Sequence, residues 1–464
     1  IHVVSRYREE IVIDSNPELS MGRTLRSMFV ACFLTTFTTA TGFYSLIIAD
    51  TKVIQEFGTH SSIAVMIAFL AVIWVVPTWL SFLDVQNFNK EKEHKGYPRL
   101  DNWVFHNAKI ITVVSIIICG TIFYMSKDIQ SNSHLLEMYH KDHPTYEAIH
   151  LAEEQLGGVI PVFINIEHPN NRSLDLEHLR KIRNLHEIID KEEAVLWSYG
   201  PDDLIQKAHR LLTNESGLPS SQDILDNELF LFEMAADDPF ETLISSDQKH
   251  ARILLLCSDA GGNAYSDMKN RLEKNIDNIF PPQYNIRVDV TGDGMMASTG
   301  IERLISDLVS SIFMVLIVIT TTLLLLLRNV KLALVASIPN VIPLIFTLGT
   351  LHLIGADLQI SNVISFSVAV GLAVDDTIHF ITRYNQERLK GISHRIAIQH
   401  TYKGAGHAII LTTILLVIGF ATLATSDLTS THHFGLLTSV TLITALIADL
   451  ILLPALLHLT MNDE

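Results

Sequence analysis

Cysteine is scarce in this chain: three in 464 residues, Cys32, Cys119 and Cys257. None has metal-ligand spacing and two lie in apolar stretches, which argues against a disulfide framework. Charge is scarce as well, at 18% of residues, against about a quarter in ordinary soluble domains. Basic residues fall short of acidic ones, 33 against 50, for a formal charge of −17. No basic stripe exists, so nucleic acid is excluded as a partner. A phosphate-binding loop of the Walker type is missing, and with it the evident route to ATP as an energy source. The acid-rich segment holds no nucleophile-and-base or metal-ligand spacing, so no enzyme, cofactor or metal centre is expected.

What is abundant is apolar sequence, 48% of residues, gathered into blocks. A bilayer core of about 30 Å needs roughly 20 apolar residues of helix. Eight segments meet or approach that length: 27–48, 62–83, 108–126, 304–327, 332–354, 361–382, 408–425 and 434–459. Pro77, Pro339, Pro343 and Pro454 fall inside them, as membrane helices allow where neighbours re-satisfy the backbone. Lys and Arg alternate between loops. Arg6, Arg8, Arg23 and Arg26 precede the first span, and Lys90, Lys92, Lys95 and Arg99 follow the second. Arg328 and Lys331, then Arg383, Arg388, Lys390, Arg395 and Lys403, mark later loops of the same side. The positive-inside rule makes these cytoplasmic. The segment 128–300, with 14 Lys+Arg and 30 Asp+Glu, then lies outside the cytoplasm.

That outside segment reads as a folded α+β domain. Strand runs fall at Val159–Ile166, Ala194–Trp197, Arg252–Cys257 and Ile286–Val290, with helices over Leu174–Lys191 and Tyr265–Phe280. Two β-α-β passes, parted by a Ser/Asn-rich polar stretch near 213–226, suggest ferredoxin-like units. Gly292-Asp293-Gly294 reads as a turn. His432-His433 has no third metal ligand in register, and reads as a surface pair. Asn171-Arg172-Ser173 and Asn214-Glu215-Ser216 are formal glycosylation sequons that chance supplies readily.

The chain repeats itself at an offset of 377 residues, with 21 identities over about 80 ungapped positions. Ile1-His2 matches Ile378-His379, Arg6-Tyr7 matches Arg383-Tyr384, and Glu10 matches Glu387. Leu34-Thr35-Thr36 matches Leu411-Thr412-Thr413, and Gly42-Phe43 matches Gly419-Phe420. Asp50 pairs with Asp427, Phe57-Gly58 with Phe434-Gly435, and Pro77 with Pro454. Residues 1–83 thus read as the tail of a first repeat, and 84–107 as a cytoplasmic linker. A second repeat follows, with a span at 108–127, the outside domain at 128–300 and five spans in 301–460. The expectation is a missing N-terminal half with its own outside domain and four more spans.

This architecture resembles the RND superfamily, and within it MMPL-type and Patched-like exporters with sterol-sensing-domain-like bundles. The resemblance rests on Pro339-Asn340 with Pro343, on Gly371-Leu-Ala-Val-Asp375-Asp376-Thr-Ile-His379, and on Thr441–Leu457. It implies a polytopic helical bundle, here spans 7–12 plus the end of span 4 and spans 5 and 6. It also implies a periplasmic porter-like domain, and proton-driven export of lipids or other hydrophobic or amphipathic molecules. The location implied is a plasma membrane, a bacterial inner membrane above all. Partners would be membrane lipids, the substrate and the missing half; a homo-oligomer stays open.

An ionisable side chain deep in a bilayer costs about 2.5–3.5 kcal/mol or more, which makes it a functional candidate by default. Asp375 and Asp376 stand about 12 and about 10 Å along the helix from Arg383, at about 1.5 Å per residue. Burial and mutual repulsion favour a proton on one of them, and a carboxyl that gains and loses a proton can couple a gradient to movement. His379 shares their face and is a relay member or a structural residue near the helix end. Gly371 offers close helix approach or mere tolerance. Thr412 and Thr413 offer relay hydroxyls or bond their own backbone. Asp449, whose repeat mate is Val72, tunes the relay, lines a water cavity or pairs structurally. Two other functions fit the bundle: a non-transporting sterol or lipid sensor, and an accessory subunit of protein export.

Overall fold

The structure is a computed structural model. It describes residues 1–13, 16–48, 52–81, 98–129, 132, 134, 136, 139–168, 175–233, 242–245, 247 and 249–461. Asp50, the loop lysines Lys90, Lys92 and Lys95, and the Asn171-Arg172-Ser173 sequon lie outside these residues. The chain divides into two compact units, one of residues 1–130 with 303–464 and one of residues 131–302.

The first unit opens with α1 (His2–Ile13), α2 (Pro17–Tyr44), α3 (Lys52–Ser81) and α4 (Pro98–Met125). The second unit holds α5 (Pro144–Leu156), β1 (Ile160–Glu167), α6 (Leu176–Ile189), β2 (Val195–Tyr199), α7 (Pro201–Thr213) and α8 (Gln222–Glu233). It continues with β3 (His250–Cys257), α9 (Gly262–Ile279) and β4 (Arg287–Thr291). The chain returns through α10 (Asp293–Leu327) to α11 (Val330–Ser337), α12 (Ile342–Leu353), α13 (Ile360–Leu389) and α14 (His394–Thr401). It ends with α15 (His407–Leu423), α16 (Thr429–Ile447) and α17 (Leu453–Thr460).

Among the described residues, seven helical stretches are long and apolar enough to cross a membrane: Pro17–Ile48, Ile54–Leu80, Leu100–Asp128, Val330–Leu353, Ile364–Leu389, His394–Leu423 and Thr429–Thr460. The eighth expected span, 304–327, belongs to α10, whose described apolar part is Ile312–Leu327. The chain is a polytopic membrane protein. The spans differ sharply in burial. The apolar window of Ile364–Leu389 is 83% buried, whereas those of Ile54–Leu80 and Leu100–Asp128 are 11% buried. Helix α13 is therefore the centre of its unit, and α3 and α4 turn Val75, Trp79, Ile116 and Phe123 outwards.

The repeat has a physical basis in two like helix hairpins. A Cβ on Gly58 would meet the Phe43 carbonyl oxygen at 2.5 Å, and one on Gly435 would meet that of Phe420 at 2.6 Å. Phe43 and Phe57 pack edge-on at 6.1 Å, and their mates Phe420 and Phe434 tilt against each other at 5.9 Å. The Gly-Phe and Phe-Gly identities are thus what lets α2 meet α3, and α15 meet α16, backbone to backbone. Arg6 pairs with Glu10, and its mate Arg383 with Glu387 at 3.4 Å.

In the second unit all neighbouring strands are antiparallel in the order β2-β3-β1-β4. This is the ferredoxin-like arrangement. The two β-α-β passes do not form separate sheets: β3 of the second inserts between β1 and β2 of the first. Alternate residues of β1 point into the core, with Val162 and Ile164 fully buried, each such side chain contributing about 1.5–3 kcal/mol. Helix α6 starts on an Asp175 cap, whose side chain accepts from the His178 N–H at 2.8 Å. It lays Ile182, Leu185 and Ile189 on the sheet, and Leu179 in a second core with Ile205 and Leu225. The polar stretch read at 213–226 is a separator only in part. Asn214 caps α7 in the left-handed conformation (φ 64°), and α8 already begins at Gln222. Gly292 takes φ 119° beside the Pro161 carbonyl, which makes the turn from β4 into α10.

Candidate functional site

Three successive residues of α13 face three different neighbours, because each helical step turns about 100°. Asp375 lies 3.4 Å from His379 Nε2, one turn on. The His379 ring in turn stacks on its repeat mate His2 of α1, centroids 3.8 Å apart and planes 8° from parallel. Asp375 Oδ1 and His2 Nε2 are buried without a hydrogen bond. Asp376 is buried, and Thr413 Oγ1 of α15 lies 3.0 Å from its carboxyl and 2.9 Å from the Ile409 carbonyl. The Thr412 hydroxyl reaches the Ala408 and Ile409 carbonyls of its own helix. Thr377 faces the other way, 2.6 Å from Asp449 and 3.0 Å from Asn340.

Gly371 lies where α2 crosses α13. Thr39 of α2 donates to the Gly371 carbonyl at 3.0 Å, and a Cβ on Gly42 would come 3.5 Å from the Gly371 Cα. Beyond His379 a cavity is lined by His2, Arg6, Glu9, His379, Arg383 and Gly404. Glu9 bridges the two repeat-mate arginines there, 2.6 Å from Arg6 and 3.5 Å from Arg383. The cavity reaches the stacked histidines from the end that carries the Arg-Tyr pairs.

Ligand-capable atoms of His2, Asp375 and His379 lie within 4.8 Å of one another. Imidazole lone pairs lie in the ring plane, however, and these planes are stacked in parallel, so the two nitrogens do not converge on one ion. His432 and His433 are half-buried rather than a surface pair, with rings 5.8 Å apart.

Sequence reading missed a second cluster, in the other unit. His186 Nδ1 lies 2.9 Å from Asp202 Oδ1, and its Nε2 lies 2.7 Å from Ser198 Oγ. The outline is that of a Ser-His-Asp triad, but the proton count is not. Ser198 gives its one proton to Asp190 at 2.5 Å, so it can only accept from Nε2. Both ring nitrogens then carry hydrogen, and the group is an imidazolium. Burial opposes that charge, yet the hydrogen bond and charge of Asp202, with Asp203 and Asp190, raise His186 above its ordinary value. Burial and the charge of Asp202 likewise push Asp203 up. Arg183 completes the group at 3.3 Å from Asp202 and from Asp203. Its cationic partners are in place already, which suits a structural lock. Thr377 and Asn340 were also missed as site residues; polar side chains in apolar helices were the available signal.

Comparison with known proteins fits this architecture. A membrane protein of Methanocaldococcus jannaschii is 25% identical over 370 residues, covering 76% of this chain and 91% of that one. The cryo-EM structure of the hedgehog release protein Disp from the water bear Hypsibius dujardini is similar in fold, with a TM-score of 0.58 at 12% identity. SecDF in its super-membrane-facing form follows, with a TM-score of 0.51 at 11% identity. Each covers 99% of this chain, which spans 63% of the first structure and 52% of the second. The model of the MMPL family matches residues 1–107 and 185–462. The chain therefore belongs to the MMPL family.

Proposed function

We propose that this chain is the C-terminal part of an RND-type exporter that uses the proton-motive force to move lipids or other hydrophobic or amphipathic molecules. The observation that carries the reading is the placement of acids on α13. Asp376 is buried in the most buried span and lies against Thr413 of a neighbouring helix, while Asp375 and His379 face the repeat-mate histidine. A carboxyl so placed changes its partners when it takes up a proton, and helix packing follows. The repeat mate of His379, His2 of α1, stacks on it and brings the first repeat to the same site. The second unit is then a porter-like domain in the periplasm, and the bundle sits in a bacterial inner membrane.

The test uses cells producing the full transporter and efflux of an amphipathic fluorescent dye, with and without a protonophore. Asp375→Asn and Asp376→Asn should each lower gradient-dependent efflux by roughly tenfold or more, at unchanged membrane abundance. Undiminished efflux in both variants ends the relay reading and leaves the bundle as a lipid-sensing one.

A further inference from the structure

Thr377 of α13, Asn340 and Asp449 meet in one buried cluster, at 0%, 2% and 1% exposure. Thr377 Oγ1 lies 3.0 Å from Asn340 Oδ1 and 2.6 Å from Asp449 Oδ1, and Asn340 Nδ2 donates to the Ala336 carbonyl at 3.1 Å. A threonine hydroxyl has one proton to give. The Ala336 carbonyl sets the amide: turned over, Asn340 would put its oxygen against another oxygen in a buried site. Asn340 Oδ1 therefore faces Thr377 and takes that proton. Nothing remains for Thr377 to give to Asp449, yet their oxygens stand at the distance of an O–H···O bond. A hydrogen on the Asp449 carboxyl is what lets both contacts be hydrogen bonds at once.

We infer that Asp449 is a second proton-binding site, loaded in this conformation as a neutral carboxylic acid that donates to Thr377 Oγ1. The hydrogen bonds then run one way, from Asp449 to Thr377, to Asn340, to the Ala336 carbonyl. The backbone explains the placement. Asp449 sits in a π-helical turn, Ala448–Leu452, whose extra residue per turn re-aims side chains. Pro454 has no N–H to give to the Leu450 carbonyl four residues earlier, and the Tyr402 hydroxyl donates to that carbonyl instead. The repeat mate of Asp449 is Val72, so the site exists in one repeat only. The proton is inferred from hydrogen-bond geometry, independently of any transport. Its use in coupling rests on the proton-driven reading above, since Thr377 adjoins Asp376.

Infrared spectroscopy of the purified protein in lipid nanodiscs at neutral pH tests this without any transport assay. The wild type should show a protonated-carboxyl C=O stretch that moves on exchange into D2O. Asp449→Asn, whose amide can donate where the acid did, should lose that component and keep the wild-type Tm. Thr377→Val, which removes the acceptor, should shift the component without abolishing it, and it stands in if Asp449→Asn fails to fold. Absence of any component assignable to Asp449 overturns the inference, and so does its disappearance whenever sodium is present, which would make the three oxygens a cation site.

Discussion

Two histidine-aspartate pairs in this protein share their residue types and differ in how fully their hydrogen bonds are met. In the second unit His186 bonds at both ring nitrogens, to Asp202 and Ser198, and Arg183 closes on Asp202 and Asp203. In the membrane unit His379 stands 3.4 Å from Asp375, whose Oδ1 has no hydrogen bond, and stacks on a His2 whose Nε2 has none. Each such unmet buried group costs about 1–3 kcal/mol. On the proposed proton relay that cost is expected, since the site must change protonation and partners. Satisfaction, more than residue type, separates the two.

Exchanging acids for amides breaks the comparison most directly. Asp375→Asn should reduce gradient-driven dye efflux by roughly tenfold or more, with Tm unchanged, because the amide matches the carboxyl in size and Oδ1 has no hydrogen bond to lose. Asp202→Asn should do the reverse. It removes the buried counter-charge of His186 and should cost about 3 kcal/mol in the second unit. Hydrogen exchange of α6 and β2 amides in the full chain reads that loss, and efflux per folded molecule should hold. If Asp202→Asn leaves exchange untouched and stops efflux, the assignment of lock and relay is inverted.

Acid and alkali should separate the pairs next. The folded-state value of His186 lies above its ordinary 6.5, so its stabilisation is complete below about 6.5 and is lost as pH rises through the raised value. Asp203, raised from 3.8, acts in the same direction. Protection of α6 and β2 should therefore fall as pH rises above about 6.5, and His186→Gln should flatten that part of the profile. A profile that rises over that range would remove the imidazolium.

Much of this molecule was legible before its structure. Runs of apolar residues announce spans because a bilayer imposes a length, and the alternation in Ile160–Glu167 announces a strand because one face is buried. Helices α7 and α8 were hidden by the Ser/Asn-rich link between them. The strand order was hidden because register is decided by partners far away. Asp375, Asp376 and His379 stood out, being charged and in register on one helix. Thr377, Asn340 and Asp449 did not stand out together, since they lie 37 and 72 residues apart. The lock around His186 was hidden likewise: its members come from α6, β2 and α7, and only folding brings them to one place.

The smallest expected effect is also the most selective. Ser198 accepts from His186 Nε2 and donates to Asp190, near the edge of the cluster. Ser198→Ala removes one accepted bond from a charged donor and one given to a carboxylate. Water can replace part of both, because the Asp190 side chain is 53% exposed. The loss should be about 1 kcal/mol, read as a slight rise in exchange at β2, with efflux unaltered. A lock predicts that modest, purely local loosening. A nucleophile predicts something else: reaction of Ser198 with an active-site-directed fluorophosphonate, abolished by Ser198→Ala and by His186→Gln. Labelling of that kind would mean that Nε2 accepts the serine proton instead of donating to it, and the second unit would then hold a reactive site in place of a lock.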